Sequence, residues 1–212
     1  MFSVLFPPIV YMTCIPVLEK YRFFVSKNEY MSKTHNLALA MYSFIAFCGF
    51  VLHWKQYGLS MPCTVPSQKL PYWLTTSWYW SKIWEWGDTF LLISRRKEIS
   101  NLHFYHHMFT ASIVGLQTYG RVLHTPLYEI ASIMNSFVHL FMYLYYAYPI
   151  FSMRKYITRI QILQHIIMVI ALSYTLTQHS CDTDITGNVF PFVCYIFFLV
   201  EFTKIRWRLK SE

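Results

Sequence analysis

Charge is what this sequence has least of: Asp, Glu, Lys and Arg make up 13% of the 212 residues, about half of the quarter usual in soluble domains. A water-exposed surface of ordinary make-up is thereby excluded. Five cysteines are too few for a secreted disulfide scaffold. Six glycines and nine prolines, with no repeat and no low-complexity tract, exclude collagen-like, solenoid and linker architectures. There is no G-x-x-x-x-G-K-[ST] nucleotide loop, no G-x-S-x-G elbow and no N-x-[ST] glycosylation acceptor. What is abundant is apolar surface, 55% hydrophobic and 20% aromatic, with a mean hydropathy of +0.32. The formal charge of +8, from 18 basic and 10 acidic residues, would suit nucleic acid only as a basic face on a soluble fold. We therefore expect no nucleic-acid partner and read the excess by where it falls.

A membrane-crossing helix needs about 20 apolar residues. Six stretches qualify, near Asn36–His53, Tyr72–Ile93, Phe104–Tyr119, Val122–Tyr148, Tyr156–Thr177 and Val189–Phe202. A shorter one, Phe2–Leu18, is broken by Pro7, Pro8 and Pro16; lacking a basic residue ahead of its apolar run, it reads as a first span rather than a signal peptide. The predicted class is all-α, a polytopic membrane protein of seven transmembrane helices.

Alternating connections then separate the basic residues. Lys20, Arg22, Lys27 and Lys33, then Arg95, Arg96 and Lys97, then Arg154, Lys155 and Arg159, then Lys204, Arg206, Arg208 and Lys210 fall on one side, 14 of the 18. Lys55, Lys69 and Arg121 fall on the other, and Lys82 lies inside a span. The positive-inside bias puts the larger set and the C-terminus in the cytosol. Cys63 and Cys181 lie in two opposite-side connections, compatible with a bridge in an oxidising lumen. The run Arg208-Leu209-Lys210-Ser211-Glu212 is similar to dibasic endoplasmic reticulum retrieval signals and equally serves as a positive-inside tail.

Ionisable side chains inside spans are costly and mark a functional interior. Lys82, Glu85 and Asp88-Thr89 recur on one face of the third span. His103, His106 and His107 share a face at the cytosolic entrance of the fourth. The fifth carries Asn135, His139, Met142-Tyr143 and Tyr146 in one stripe, and the sixth Thr158, Gln161, Gln164 and His165. Asp88 and His139 lie on the cytosolic halves of their spans, the histidine triplet opens the fourth from the cytosol and Gln161 stands in the first turns of the sixth, so a polar pocket open to the cytosol is expected, with an apolar remainder towards the lumen. Three histidines on one face can bind metal, shuttle protons or present one imidazole as a nucleophile. A membrane di-iron desaturase or hydroxylase would need about eight histidines in several boxes; this chain has one box, with His35, His53, His124, His165 and His179 apart. A seven-span lipid or proton-coupled transporter is the other alternative, though no internal symmetry supports it.

Lys82-x-x-Glu85-x-x-Asp88-Thr89, His103-x-x-His106-His107, His139-x-x-Met142-Tyr143-x-Tyr145-Tyr146 and Thr158-x-x-Gln161-x-x-Gln164 stand in the order seen in the very-long-chain fatty acid elongases, the ELO family of condensing enzymes. The resemblance covers about residues 35–205. Family members are usually longer at both ends, and Trp84 and Trp86 flank Glu85 where smaller or aliphatic residues are familiar, a departure expected to narrow the site. The resemblance implies one integral-membrane domain: a first span and cytosolic connection over 1–34, a catalytic barrel of the second to seventh helices around an acyl tunnel over 35–205, and a tail over 206–212. It implies residence in the endoplasmic reticulum and decarboxylative condensation of a long-chain acyl-CoA with malonyl-CoA to 3-ketoacyl-CoA, CO2 and CoA, with no cofactor and no metal. His106 would be the nucleophile that takes the acyl group. Cys63–Cys181 would match a family disulfide. Homo-oligomers and other elongation-cycle enzymes join membrane lipid as expected partners.

Bottom-up reasons accompany these roles. Asp88 accepting a neighbouring N–H would set the tautomer of His106, while His103, His107, His139 and Asn135 are candidates to hold developing negative charge. Lys82 and Glu85 complete the candidate catalytic set. Thr89, Tyr143, Tyr146, Thr158, Gln161 and Gln164 are candidate substrate contacts. Arg95, Arg96, Lys97, Arg154, Lys155 and Arg159 are available for CoA phosphates.

Overall fold

A backbone in hydrocarbon must satisfy its own N–H and C=O groups, and the apolar runs do so as helices. The computed structural model describes residues 2–21, 29–58, 70–119, 127–178 and 185–211, and every regular element among them is an α-helix. In order these are α1 (Phe2–Tyr21), α2 (Glu29–Tyr57), α3 (Tyr72–Trp84), α4 (Trp86–Ser94), α5 (Asn101–Tyr119), α6 (Leu127–Ala147), α7 (Phe151–Thr177) and α8 (Ile185–Ser211). Four segments, Glu29–Tyr57, Leu127–Ala147, Met153–Thr177 and Asn188–Arg208, are long and apolar enough to cross a membrane. Cys63, Cys181 and His124 lie outside the described residues.

The stretch expected as one span over Tyr72–Ile93 is two helices meeting at Glu85. Glu85 keeps helical dihedrals, φ −57° and ψ −19°. The Asp88 N–H, however, donates to the Glu85 carbonyl three residues back at 3.0 Å, the tighter 3₁₀ turn that often marks functional positions in helices. Gly87 follows for a steric reason: a Cβ there would lie 2.4 Å from Cε1 of His35 on α2. The α2 helix can approach this turn only because position 87 has no side chain.

Neighbouring helices close a ring. α2 packs along α6 and against α3, α3 against α5, α5 against α8, α8 along α7, and α7 against α6. Its seams are apolar: Phe50, Leu74, Trp78, Val114 and Tyr128 cluster among α2, α3, α5 and α6, while Leu102, Ile113, Cys194 and Phe198 join α5 to α8. Burying such side chains contributes about 1.5–3 kcal/mol each. α1 stands outside the ring, with Pro7, Pro8 and Pro16 inside it; it lays Tyr11 and Ile15 on Trp86, Ile93 and Ala111. Large apolar side chains such as Met41, Leu52, Ile170 and Val193 are exposed on the outer surface, as suits a chain facing lipid. The polar stripes have only the interior left.

Candidate active site

Inside the ring lies a cavity of about 570 Å³. Every stave of the ring contributes to it: Ser32 and Asn36 from α2, Glu85 at the α3–α4 turn, Asp88, Leu91 and Leu92 from α4, the three box histidines from α5, His139 to Tyr146 from α6, Thr158 and Gln161 from α7, and Phe202 and Ile205 from α8. Arg95, Lys97 and Arg154 also line it. Arg95 and Lys97 follow α4 and Arg154 is in the first turn of α7, all three within the set of 14 basic residues, so the wide cavity is at the basic face. A second cavity of about 50 Å³ continues inward, lined by Trp78, Lys82, Thr110, Ile113, Asn135, Gln164, His165, Tyr195 and Phe198 among others. His106 lines both.

The charged groups form two separate systems. Lys82, 2% exposed, donates to Glu85 Oε1 at 2.7 Å and to Asn135 Oδ1 at 2.8 Å, and its ammonium sits 3.9 Å from the Trp78 ring centroid. His139 Nδ1 lies 3.1 Å from Glu85 Oε1 without the alignment of a hydrogen bond. One carboxylate thus ties α3 to α6, and an ammonium withdrawn from water has compensating charge, amide and ring around it.

Asp88 has its own partners, which spacing did not reveal. His35 Nε2 is 2.9 Å from Asp88 Oδ1, and the Tyr143 hydroxyl donates to Oδ2 at 2.8 Å. A carboxylate only accepts, so His35 carries its proton on Nε2. The expectation that Asp88 sets the His106 tautomer is therefore corrected: its oxygens hold His35 of α2 and Tyr143 of α6, and among the described residues no hydrogen bond joins it to a box histidine. His35, set apart in the sequence reading, belongs to the site. It is 53 residues from Asp88, and Gly87 was the one local sign that something approaches there.

Within the box, the His103 and His107 rings are 4.3 Å apart between centroids, His106 and His107 5.7 Å, and His106 and His139 6.4 Å. His106 rests on Phe198 at 5.0 Å. Glu85 Oε2, His107 Nδ1 and His139 Nδ1 are buried with no hydrogen-bond partner among the described residues. Unpaired buried groups cost about 1–3 kcal/mol each, so a polar substrate meeting them would bind favourably. Among the described residues no three His, Cys, Asp or Glu side chains are spaced to hold a metal ion.

The remaining candidates separate by position. Tyr143, Tyr146, Thr158 and Gln161 line the outer cavity and Gln164 the inner one; Gln161 Nε2 also reaches Met142 Sδ at 3.7 Å. Thr89 is fully buried and stands behind the wall, with its hydroxyl 2.9 Å from His103 Nε2. Arg96, Lys155 and Arg159 are exposed and do not line the cavity. Trp84 and Trp86 do not narrow it: Trp84 is 45% exposed, and Trp86 donates from Nε1 to the His107 carbonyl at 3.3 Å. The inner cavity is more polar than expected, since Lys82, Asn135, Gln164 and His165 share its walls with apolar residues.

The chain is similar to known proteins over most of its length. The family model of ELO, the GNS1/SUR4 family, matches residues 4–207. "Fatty acid elongase sre1" of Dictyostelium discoideum is 26% identical over 186 residues, covering 80% of this chain and 68% of that protein. "Very long chain fatty acid elongase 2" of Mus musculus is 29% identical over 185 residues, 77% and 57% respectively. "Long chain fatty acid elongase 2" of Caenorhabditis elegans is 29% identical over 150 residues, 63% and 54%. The matched region thus spans a little over half to about two thirds of these relatives.

Proposed function

Because this chain belongs to the ELO (GNS1/SUR4) family, we propose that it elongates fatty acyl chains by condensing a long-chain acyl-CoA with malonyl-CoA to give 3-ketoacyl-CoA, CO2 and CoA. The observation that carries the reading is the place of His106, on the wall common to a wide, basic-mouthed cavity and a narrow inner one. A substrate with a phosphorylated head and a hydrocarbon tail would lie across that wall with its thioester at the imidazole. Arg95, Lys97 and Arg154 supply the charge a CoA head needs.

In the proposed reaction a neutral His106 nitrogen attacks the acyl thioester carbon. The C–S bond breaks, CoA leaves as the thiol with the imidazole's proton, and an acyl-imidazole remains. Malonyl-CoA then loses CO2; the resulting enolate carbon attacks the acyl carbon, the C–N bond breaks, and the departing imidazole nitrogen takes up a proton from water, which restores neutral His106. Preset donors gain most where charge develops in a site shielded from water. His107 and His139, whose Nδ1 atoms have no aligned hydrogen-bond partner among the described residues, are candidates for that role, as is Asn135, which Lys82 holds in place.

In this reading six staves, α2 to α8 with α3 and α4 as one, cross the membrane of the endoplasmic reticulum around an acyl tunnel, with α1 as a seventh span beside them. The basic face and C-terminus are cytosolic. Purified protein incubated with radiolabelled malonyl-CoA and a panel of acyl-CoAs should release chain-extended 3-keto products; none with any acyl-CoA would refute the reading. His106→Ala should abolish the acyl adduct seen by intact mass, and an adduct surviving in that variant would reassign the nucleophile.

A further inference from the structure

We propose that Tyr11, on the helix outside the ring, is a positioning residue that holds His103 in one tautomer, protonated on Nδ1 with the Nε2 lone pair committed to Thr89. Tyr11 is 2% exposed, and its ring lies 4.8 Å from Trp86, 5.5 Å from Phe104 and 6.3 Å from His107 between centroids. Its hydroxyl is 2.9 Å from Thr89 Oγ1, and the same Oγ1 is 2.9 Å from His103 Nε2. Phenol, alcohol and imidazole form a chain of three that enters the histidine box from behind.

Proton supply sets the direction of that chain. Thr89 is the only hydrogen-bond partner of the Tyr11 hydroxyl among the described residues, and a buried O–H left without an acceptor is the costlier arrangement. Tyr11 therefore donates to Thr89. The buried Thr75, Thr158 and Thr175 give their protons to carbonyls three or four residues back. Thr89 makes no such bond among the described residues, so its proton goes to His103. A ring nitrogen that accepts carries no hydrogen; the neutral imidazole keeps its proton on Nδ1. Were His103 to donate as well, Thr89 Oγ1 would accept from both Tyr11 and His103 and its own proton would have no acceptor among the described residues; the proton that Tyr11 donates also polarises the Thr89 O–H towards His103. His103 lines the outer cavity, and the proton it can offer there is the one on Nδ1: it acts as a donor, not as a base. This catalytic consequence rests on the elongase reading, whereas the tautomer does not.

The test is long-range ¹H–¹⁵N NMR of ¹⁵N-histidine-labelled full-length protein in detergent at pH 8, with His103 assigned by difference from His103→Gln. The wild type should show a bare Nε2 and protonated Nδ1. In Tyr11→Phe the Thr89 O–H loses the donor that polarises it towards His103, so the Nε2–H form should appear; Thr89→Ser should keep the wild-type pattern and Thr89→Val should lose it. In the elongation assay Tyr11→Phe should lower kcat about fivefold, the effect of one hydrogen bond, with KM for both CoA substrates unchanged. A protonated Nε2 in the wild type, or an unaltered tautomer in Tyr11→Phe with or without loss of turnover, overturns the proposal. Should Tyr11→Phe fail to fold, the Thr89→Ser and Thr89→Val pair decides it. The predicted tautomer in a protein without elongation activity would refute the functional reading and leave this one standing.

Discussion

Replacing Glu85 by Gln should be the most damaging near-isosteric change in the protein, and the damage should be reversible by a second substitution. Lys82 and Glu85 are 2% exposed each and 2.7 Å apart. Neutralising the carboxylate leaves an ammonium with only the Asn135 oxygen and the Trp78 ring, and breaking a buried pair in this way costs about 3–5 kcal/mol. For a chain of this size the expected fall in Tm is roughly 6–20 °C. Lys82→Met removes the stranded charge, and a neutral pair of similar volume is close in stability to the ion pair it replaces. Thermal unfolding of wild type, Glu85→Gln, Lys82→Met and the double variant, all in one detergent, forms a cycle with an expected coupling of about 2 kcal/mol or more. Elongation should be lost in Glu85→Gln and stay lost in the stable double variant, because the carboxylate facing His139 is gone from the cavity wall. Additive single effects, or a double variant less stable than both singles, would refute the argument that charge pairing holds α3 to α6.

Gly87→Ala should destabilise the fold by about 1–3 kcal/mol, against the usual gain of a helical Gly→Ala change. His35→Ala in the same chain should recover most of that loss, since the clash is with the His35 ring at 2.4 Å; unfolding midpoints of the three variants check the sign. Single alanine substitutions of Arg95, Lys97 and Arg154 should raise KM for both CoA substrates by about tenfold, the scale of one charge-assisted hydrogen bond, with kcat little changed. Their effect should shrink in assays at higher salt, and equal losses at all salt concentrations would show that these side chains do not meet phosphate.

Much of this protein is legible from spacing alone. Hydropathy delivers the helices because lipid offers the backbone no hydrogen-bond partner, and helical periodicity delivers the stripes because residues three and four apart share a face. Asn135, His139, Met142, Tyr143 and Tyr146, five positions on one stripe, all line the cavities. Boundaries were less legible: α2 runs on to Tyr57 and α8 to Ser211, because a helix continues past the apolar run while its groups stay bonded. The turn at Glu85 had no sign in the sequence beyond Gly87.

The identity of the interior was therefore decided by the sequence: few ionisable groups in spans, each at a helical interval from the next. Their partners were decided by tertiary structure. Asp88 meets His35 and Tyr143, and Tyr11 reaches His103 through Thr89, across separations of up to 78 residues that no periodicity encodes. A hydrogen bond depends on donor and acceptor standing about 3 Å apart with a particular alignment. Spacing along one helix sets which face a side chain takes; only the packing of one helix on another sets what it meets there.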